Sequence, residues 1–368
     1  MNTYDLAVIG GGPAGLAAAI AAARHGASVL LAERGRFPRH RVCGEFVSAE
    51  SLMLLESLLQ SGSAAVMECA VRIEQGRLFH GSRVIAVPIA PAAASIARFD
   101  LDAALWDAAV AVGVDARQDC VIQAVAQDEG GEFELQAPAG TFRSRAVIQA
   151  AGRWSQFSQH TSTSDPAQKW IGLKAHFAET TPARSVDLYF FEGGYCGVQP
   201  VDLHLDPHAG RRINAAALVR ADVAHSLEEV LRLHPALAQR SAEWQRLTEP
   251  VATSQVSFRK PQPLAGNHLL TGDAAAFVDP FVGDGISLAL RSGALAADSL
   301  ARFWLGQQSL AEAGETYAAA HRRQWGPVFR NAALFRAMLT LPLAVRDVVA
   351  AVLTHTPALT RQMVRLTR

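Results

Sequence analysis

The sequence predicts an α/β protein built in two parts with a helical end, and three observations carry that expectation. A short apolar strand runs into a glycine-rich turn and a small-residue helix within the first 26 residues, and a second buried strand follows. From about Trp170 to Val219 the pattern changes to longer alternating strands with glycine turns. At residues 267–272 a buried strand returns, again followed by a glycine-rich turn and a helix. Two Rossmann-like β–turn–α segments therefore flank an antiparallel insertion.

Taken in order, residues 3–9 (TYDLAVI) read as a buried parallel strand, and LAAAIAAARHG as a helix ending at Gly26. Residues 28–33 (SVLLAE) are the second strand, and residues 49–60 are helical. Residues 69–87 alternate as a hairpin with Gln75-Gly76 as its turn. An amphipathic helix spans 100–112, capped by Asp100 and closed by Gly113. Strands are expected near 119–126, 132–137 and 141–148, a polar helix near 226–246, and a small-residue helix over 286–303. The resulting division gives a discontinuous dinucleotide domain (1–68, 98–160 and 262–325), an antiparallel-sheet substrate domain (69–97 and 165–261) and a C-terminal helical segment (326–368).

At 368 residues and 39.3 kDa the chain is long enough for a substantial core. Its 34 basic residues balance 34 acidic ones, which argues against nucleic acid as a partner. The basic residues are 31 Arg and only three Lys, at 169, 174 and 260. Cys43, Cys69, Cys120 and Cys196 are far apart, with no CxxC pair, so neither a metal site nor a disulfide framework is expected. The N-terminus lacks the basic start of a signal peptide, and no apolar stretch approaches the ~18 residues of a membrane span. A reducing, cytoplasmic setting is the expectation.

Gly10-x-Gly12-x-x-Gly15 stands between strand and helix. Gly10 permits the tight turn, Gly12 lets a pyrophosphate approach the backbone, and Gly15 lets helix and strand pack closely. The helix N-terminus offers unpaired N–H groups to phosphate. Glu33 ends the second strand, where an acid can bind the ribose hydroxyls of an adenosine half. A second signal is Thr271-Gly272-Asp273, followed by Asp279-Pro280-Phe281-Val282-Gly283-Asp284-Gly285-Ile286 and the next helix. Asp273 sits at a strand end, able to accept from a sugar-like hydroxyl, while Gly283 and Gly285 expose N–H groups at a second helix start.

With these motifs the sequence resembles the FAD-dependent oxidoreductases of the para-hydroxybenzoate hydroxylase fold, and within them the geranylgeranyl reductase-like branch. The resemblance implies that Asp273 binds the ribityl chain and that the Pro280-x-x-Gly283-x-Gly285 turn packs beside the isoalloxazine. Pro38-Arg39-His40-Arg41-Val42-Cys43-Gly44 is similar to that branch's P-x-x-[KR]-x-C-G segment, which passes the flavin. Arg98 is similar to an arginine that reaches the FAD phosphates. Ala150-Ala151-Gly152 occupies the place of a D-G motif, with Ala151 replacing the Asp. The implied cofactor-binding set is Gly10, Gly12, Pro13, Ala14, Gly15, Glu33, Arg34, Arg41, Cys43, Gly44, Arg98, Val121, Gly152, Asp273, Pro280, Gly283, Gly285 and Ile286.

Two residues are candidates for catalysis. Cys43 is either a core cysteine or a flavin-proximal residue whose thiol titrates low beside Arg39 and Arg41. Tyr195, in Glu192-Gly193-Gly194-Tyr195-Cys196-Gly197, either packs a glycine hairpin or lines the pocket. His176, beside Lys174, reads as a buried structural histidine or a pocket residue. The C-terminal segment 326–368, with six Arg and one Asp among apolar residues, is either a helical cap or a basic–apolar surface for the inner membrane face, a lipid or a carrier protein.

Flavin chemistry in this resemblance divides into reduction, hydroxylation and halogenation. The absence of WxWxIP, and of any lysine before Lys169, argues against halogenation. The reading is an FAD-dependent oxidoreductase that reduces a C=C bond in a prenyl-type or other hydrophobic, free or carrier-bound substrate. The alternatives are a monooxygenase of an aromatic or natural-product substrate and a non-enzymatic flavin-binding protein. Only one dinucleotide fingerprint is present, so NAD(P)H binds transiently or a redox partner supplies the electrons.

Overall fold

The computed structural model describes residues 3–59, 64–154, 169–256, 258, 260–279, 281 and 283–339. Pro280, the segment 155–168 and residues 340–368, including most of the expected C-terminal helical segment, lie outside these. The elements used below are, in chain order, β1 (Leu6–Ile9), α1 (Pro13–Arg24), β2 (Val29–Ala32), β3 (Val71–His80), β4 (Arg83–Ser95), α2 (Arg98–Ala111), β5 (Asp115–Arg117) and β6 (Val147–Gln149). They continue with β7 (Trp170–Ala178), β8 (Ser185–Phe191), β9 (Gly194–Pro200), β10 (Arg212–Arg220), β11 (Val251–Val256), β12 (His268–Leu270), α3 (Gly285–Trp304) and α4 (Leu310–Leu339).

A six-stranded sheet has β12, β6, β1, β2 and β5 side by side and parallel, with Leu264–Ala265 antiparallel at one edge. Its central strands β1 and β2 are buried on both faces, which is why they read as continuous apolar runs rather than alternating ones. Helix α1 covers this sheet and packs on α3 with almost no side chain between them. A Cβ on Gly293 would stand 2.1 Å from the Ala14 carbonyl oxygen, so only glycine allows this approach.

The second large sheet has nine strands and is mostly antiparallel, in the order Gln245–Arg246, β7, β10, β9, β8, β3, β4, Phe46–Val47, with β11 also on β7. Its register sets two faces. Leu173, Ala175 and Phe177 of β7, Ile213, Ala215, Ala217 and Val219 of β10, and Cys196 and Val198 of β9 form one core with the helices at Leu227–Leu231 and Pro235–Ser241. The opposite face carries rows across β7, β10 and β9: Gly172–Leu218–Tyr195, Lys174–Ala216–Gly197 and His176–Asn214–Gln199. Asn214 and Gly172 on this face touch the Val42–Cys43 segment of the first part, so it is the face turned toward the glycine motifs.

Several local expectations differ from the structure. The hairpin reverses at Gly81 (φ +58°), not at Gln75-Gly76, which stay in β3 because both flanking strands hydrogen-bond to it. Asp100 does not cap α2. The helix starts at Arg98, whose N–H is taken by the distant Glu45 carboxylate (2.9 Å), while Asp100 accepts from His204 N–H. The helix expected over 226–246 is two short ones, because Pro235 cannot donate inside a helix and starts the second with His234 as its cap. The expected strand at 119–126 begins only at Ala124, and 141–148 is divided between Gly140–Ser144 and β6, which lie in different sheets. Among the described residues no helix is long and apolar enough to cross a membrane.

Candidate active site

The glycine motifs of the two half-sites meet at the N-terminus of α1. Gly10 has φ +106°, and a Cβ there would stand 2.6 Å from the Ala150 carbonyl oxygen. A Cβ on Gly15 would stand 1.9 Å from Gly10's own carbonyl oxygen. Gly12 is different: nothing lies within 4 Å of its Cβ direction. The turn is thus closed on the protein side and open in front of the helix, whose start carries Pro13 and no side-chain cap. Gly272 (φ +57°) presses on the same place, its Cβ direction 2.8 Å from Ala14 Cβ. Asp273 follows it, 3.6 Å from Arg153, beside a cavity of about 20 Å³ that Arg153, Lys260 and Asp273 line. Burial pushes the Asp273 carboxyl up, and Arg153 and Arg98 oppose this.

Glu33 is buried beneath the turn. Its carboxylate accepts from Gly11 N–H and Gly35 N–H, each at 2.8 Å, and pairs with Arg39 at 2.9 Å. Arg39, absent from the expected set, therefore orients the acid. Arg41 lies nearby with no ion-pair partner among the described residues. Burial and the adjacent Arg39 destabilise its charge, and Glu33 partly offsets this. An unneutralised guanidinium beside an uncapped helix start suits a phosphate. Arg98 instead holds Asp102 through two bonds of 2.6 Å, and Arg34 and Val121 lie exposed at the edge.

The second flavin motif is brought against the Cys43 segment. The Gly283 Cβ direction (φ +75°) is 3.2 Å from the Phe46 ring. Ser48 Oγ donates to Asp284 (2.9 Å) and its backbone N–H to Ser287 Oγ (3.0 Å), which leaves the start of α3 at Gly285 with no side-chain cap. Nothing lies within 4 Å of the Cβ directions of Gly44 or Gly285, and Ile286 is buried behind the turn. Gly152 (φ +73°) also faces open space at its Cβ direction. An open glycine cradle at two uncapped helix starts, with Arg41 near Glu33 beneath the first, fits FAD: α1 and Arg41 would hold the pyrophosphate, Glu33 the adenosine ribose, Asp273 the ribityl chain, and the 43–46 and 283–285 segments the ring.

Cys43 and Tyr195 stand at different rows of the sheet face. The Cys43 carbonyl accepts from Asn214 Nδ2 (3.0 Å), whereas Tyr195 is in register with Leu218, four residues further along β10. That is about 13 Å of strand. The expected low-titrating thiol is corrected by the structure: burial pushes Cys43 up, and Arg98, the Glu45 N–H and Lys174 oppose the desolvation without cancelling it. The Tyr195 phenol is pushed well above its usual value by burial, with Asp279 adding to it. Its hydroxyl is buried without a partner, in a cluster with Trp170, Phe190, Leu218, Phe258, Phe277 and Phe281. Arg336 of α4 closes this end, 3.9 Å above the Phe258 ring and 3.4 Å from Asp279, whose carboxyl burial pushes up to about 6.

Glu45 escaped the sequence reading. It is fully buried with φ +60°, and takes Lys174 Nζ at 2.5 Å, His176 Nε2 at 2.8 Å and the Arg98 N–H. Lys174 and His176 hold its carboxyl well below the usual range despite its burial. The only signal was an acid placed directly after the PxxRxCG segment and before the apolar Phe46-Val47.

Residues 5–75 match the protein family described as FAD dependent oxidoreductase. The menaquinone reductase of Mycolicibacterium smegmatis is 26% identical over 365 residues, covering 93% of this chain and 86% of that protein. A geranylgeranyl bacteriochlorophyll reductase-like protein from Thermoplasma acidophilum has the same fold at TM-score 0.78 and 20% identity, covering 100% of this chain and 96% of that one. A flavin-dependent brominase is equally similar in fold, with TM-score 0.78, 19% identity, and 100% and 93% coverage. The fold is thus one shared by flavin-dependent reductases and halogenases, and the chain is an FAD-dependent oxidoreductase.

Proposed function

We propose that this enzyme saturates a C=C bond in a prenyl-type hydrophobic substrate. The observation that carries the reading is the near full-length likeness to a menaquinone reductase. The aromatic end of the sheet face supports it, because Trp170, Phe190, Phe258, Phe277 and Phe281 around Tyr195 would bury an isoprenoid chain without an unpaired polar cost. FAD, once reduced by NAD(P)H or a redox partner, supplies a hydride. The chain's own residues bind the apolar substrate, exclude water and supply a proton. Residues 326–368 would bring the enzyme to the inner membrane face, where such a substrate resides.

The brominase likeness favours a second reading, activation of oxygen on the same flavin. The sequence lacks the WxWxIP segment of halogenation, so hydroxylation is the form it would take. One assay separates the two. Chemically reduced protein is mixed with menaquinone without oxygen, and the product is analysed by mass spectrometry. Reductase chemistry gives a side chain richer by two hydrogens. A product that forms only with oxygen, and gains an oxygen atom, would replace this reading with the second.

A further inference from the structure

Glu45, Lys174 and His176 have no role in the assignments above, yet they form a fully enclosed polar corner on the sheet face that meets the Val42–Cys43 segment. Glu45 is one residue from Phe46, whose ring packs on Gly283 of the expected flavin turn. Its Oε1 takes Lys174 Nζ and the Arg98 N–H, and its Oε2 takes His176 Nε2. The histidine ring is therefore held from one nitrogen. The other, Nδ1, is buried and has no partner among the described residues, in a residue that is 0% exposed. Two more orphaned polar atoms lie in the same corner. Asn214 Oδ1, from the neighbouring position in register with His176, is buried without a partner. So is Nδ1 of His40, whose ring meets His176 edge-on at 5.2 Å. Native interiors rarely leave three such atoms together unless something else binds there.

We propose that His176 is the proton donor to the substrate, that Glu45 and Lys174 position it, and that the His40–Asn214 corner receives the polar end of the substrate. The proposal rests on the reductase reading. With its Nε2–H held by the Glu45 carboxylate, a protonated ring presents Nδ1–H as its single free donor. In the step it serves, one alkene carbon gains a hydride from the reduced cofactor and the adjacent carbon gains the Nδ1 proton. The π bond breaks, two C–H bonds form, and the imidazole is left neutral for reprotonation. The charged and titratable groups around the ring are His40, Cys43 and Glu45 from the loop, Arg98 with Asp102 from α2, Lys174 from its own strand, and Arg212 of β10 with Asp206 of the preceding loop. Arg98 and Arg212 are each neutralised by their own carboxylate, so Glu45 alone is left to balance Lys174 and the ring.

The test uses the full-length chain loaded with FAD, with menaquinone as probe under anaerobic single turnover. His176→Gln is expected to slow side-chain saturation by about 100-fold or more, the scale of a lost general acid. Cofactor reduction, FAD affinity by fluorescence titration and the heat-unfolding midpoint should stay within about twofold or a few degrees of the parent. Free imidazole should restore part of the rate to His176→Ala, which a structural role would not allow. Glu45→Gln should lower kcat by about 10-fold with KM unchanged and gain nothing from imidazole. Independently of turnover, the apoprotein should show a slowly exchanging imidazole N–H signal that is lost in His176→Gln. If Glu45→Gln does not fold, His176→Asn and the imidazole rescue decide the matter. A His176→Gln chain as fast as its parent, or one impaired only through lost FAD or lost stability, overturns the proposal alone. A parent chain that forms no saturated product overturns the reductase reading and the proposal with it.

Discussion

The two ends of the sheet face turned toward the Val42–Cys43 segment solve burial in opposite ways. At the polar end, Glu45, Lys174 and His176 are fully enclosed, and the Glu45 carboxylate bonds both of the others. At the aromatic end, Tyr195 keeps a buried hydroxyl without a partner, and Asp279 is held only by a long 3.4 Å contact to Arg336 and by Phe281 N–H. In the row between them Ala216 and Gly197 leave the sheet low beside Lys174. A pair of ends built this way teaches that one is fixed around a bonded carboxylate and the other around packed rings, while each keeps buried polar atoms for what binds to it.

The comparison presupposes a cofactor between the ends, and removing it is the largest change available. Gly12→Val should abolish FAD binding, because the side chain would fill the one open approach to the turn and the helix start. The purified variant should be colourless and take up no FAD on titration. Next in size is Glu45→Ala, which leaves Lys174 and His176 buried without their anion. A loss of about 3–5 kcal/mol is expected from urea unfolding, as for other broken buried ion pairs.

The ends should also respond oppositely to pH. Glu45 is held low, so its contribution is present above the ordinary glutamate value of 4.5 and is lost as pH falls toward the lower folded value. Asp279 is raised from 3.8 to about 6, so the folded state binds its proton more tightly, and stability falls as pH rises through that interval. Asp279→Asn should therefore stabilise the chain at pH well above 6 by at most about 3 kcal/mol, with little effect near pH 3. A variant whose gain appears only in acid would contradict the sign.

Smaller effects sharpen the picture. Asp273→Ala should weaken FAD by about 1–3 kcal/mol, the scale of a hydrogen bond to a charged acceptor. Tyr195→Phe should change stability by less than about 1 kcal/mol, or raise it, because the hydroxyl it removes has no partner among the described residues. If the hydroxyl serves a bound substrate, the same variant raises KM while FAD affinity stays unchanged.

Much of this arrangement was legible in the sequence because it is local. Gly10, Gly12 and Gly15 sit at fixed spacing between one strand and one helix, and Gly272-Asp273 repeats that logic further on. The alternation that marks β7 to β10 separates its two faces correctly without any knowledge of partners. What was not legible depends on contacts far apart in sequence. Glu45 caps α2 across 53 residues and reaches Lys174 across 129. Neither distance leaves a periodic trace, and the positive φ of Glu45 has none either. The same remoteness explains Asp100, a good local cap displaced by a distant carboxylate, and Arg98, drawn to Asp102 one turn along its own helix.

The central claim, that bound FAD hands its reducing equivalents to an isolated C=C bond, is tested most directly with a substrate that offers nothing else to reduce. Protein reduced to the colourless state is mixed anaerobically with geranylgeraniol, and the visible flavin band is followed while the product is counted. The account predicts that the yellow colour returns without oxygen, one flavin oxidised for each double bond saturated. A flavin that stays reduced until oxygen is admitted, with an oxygenated product or none, would contradict it.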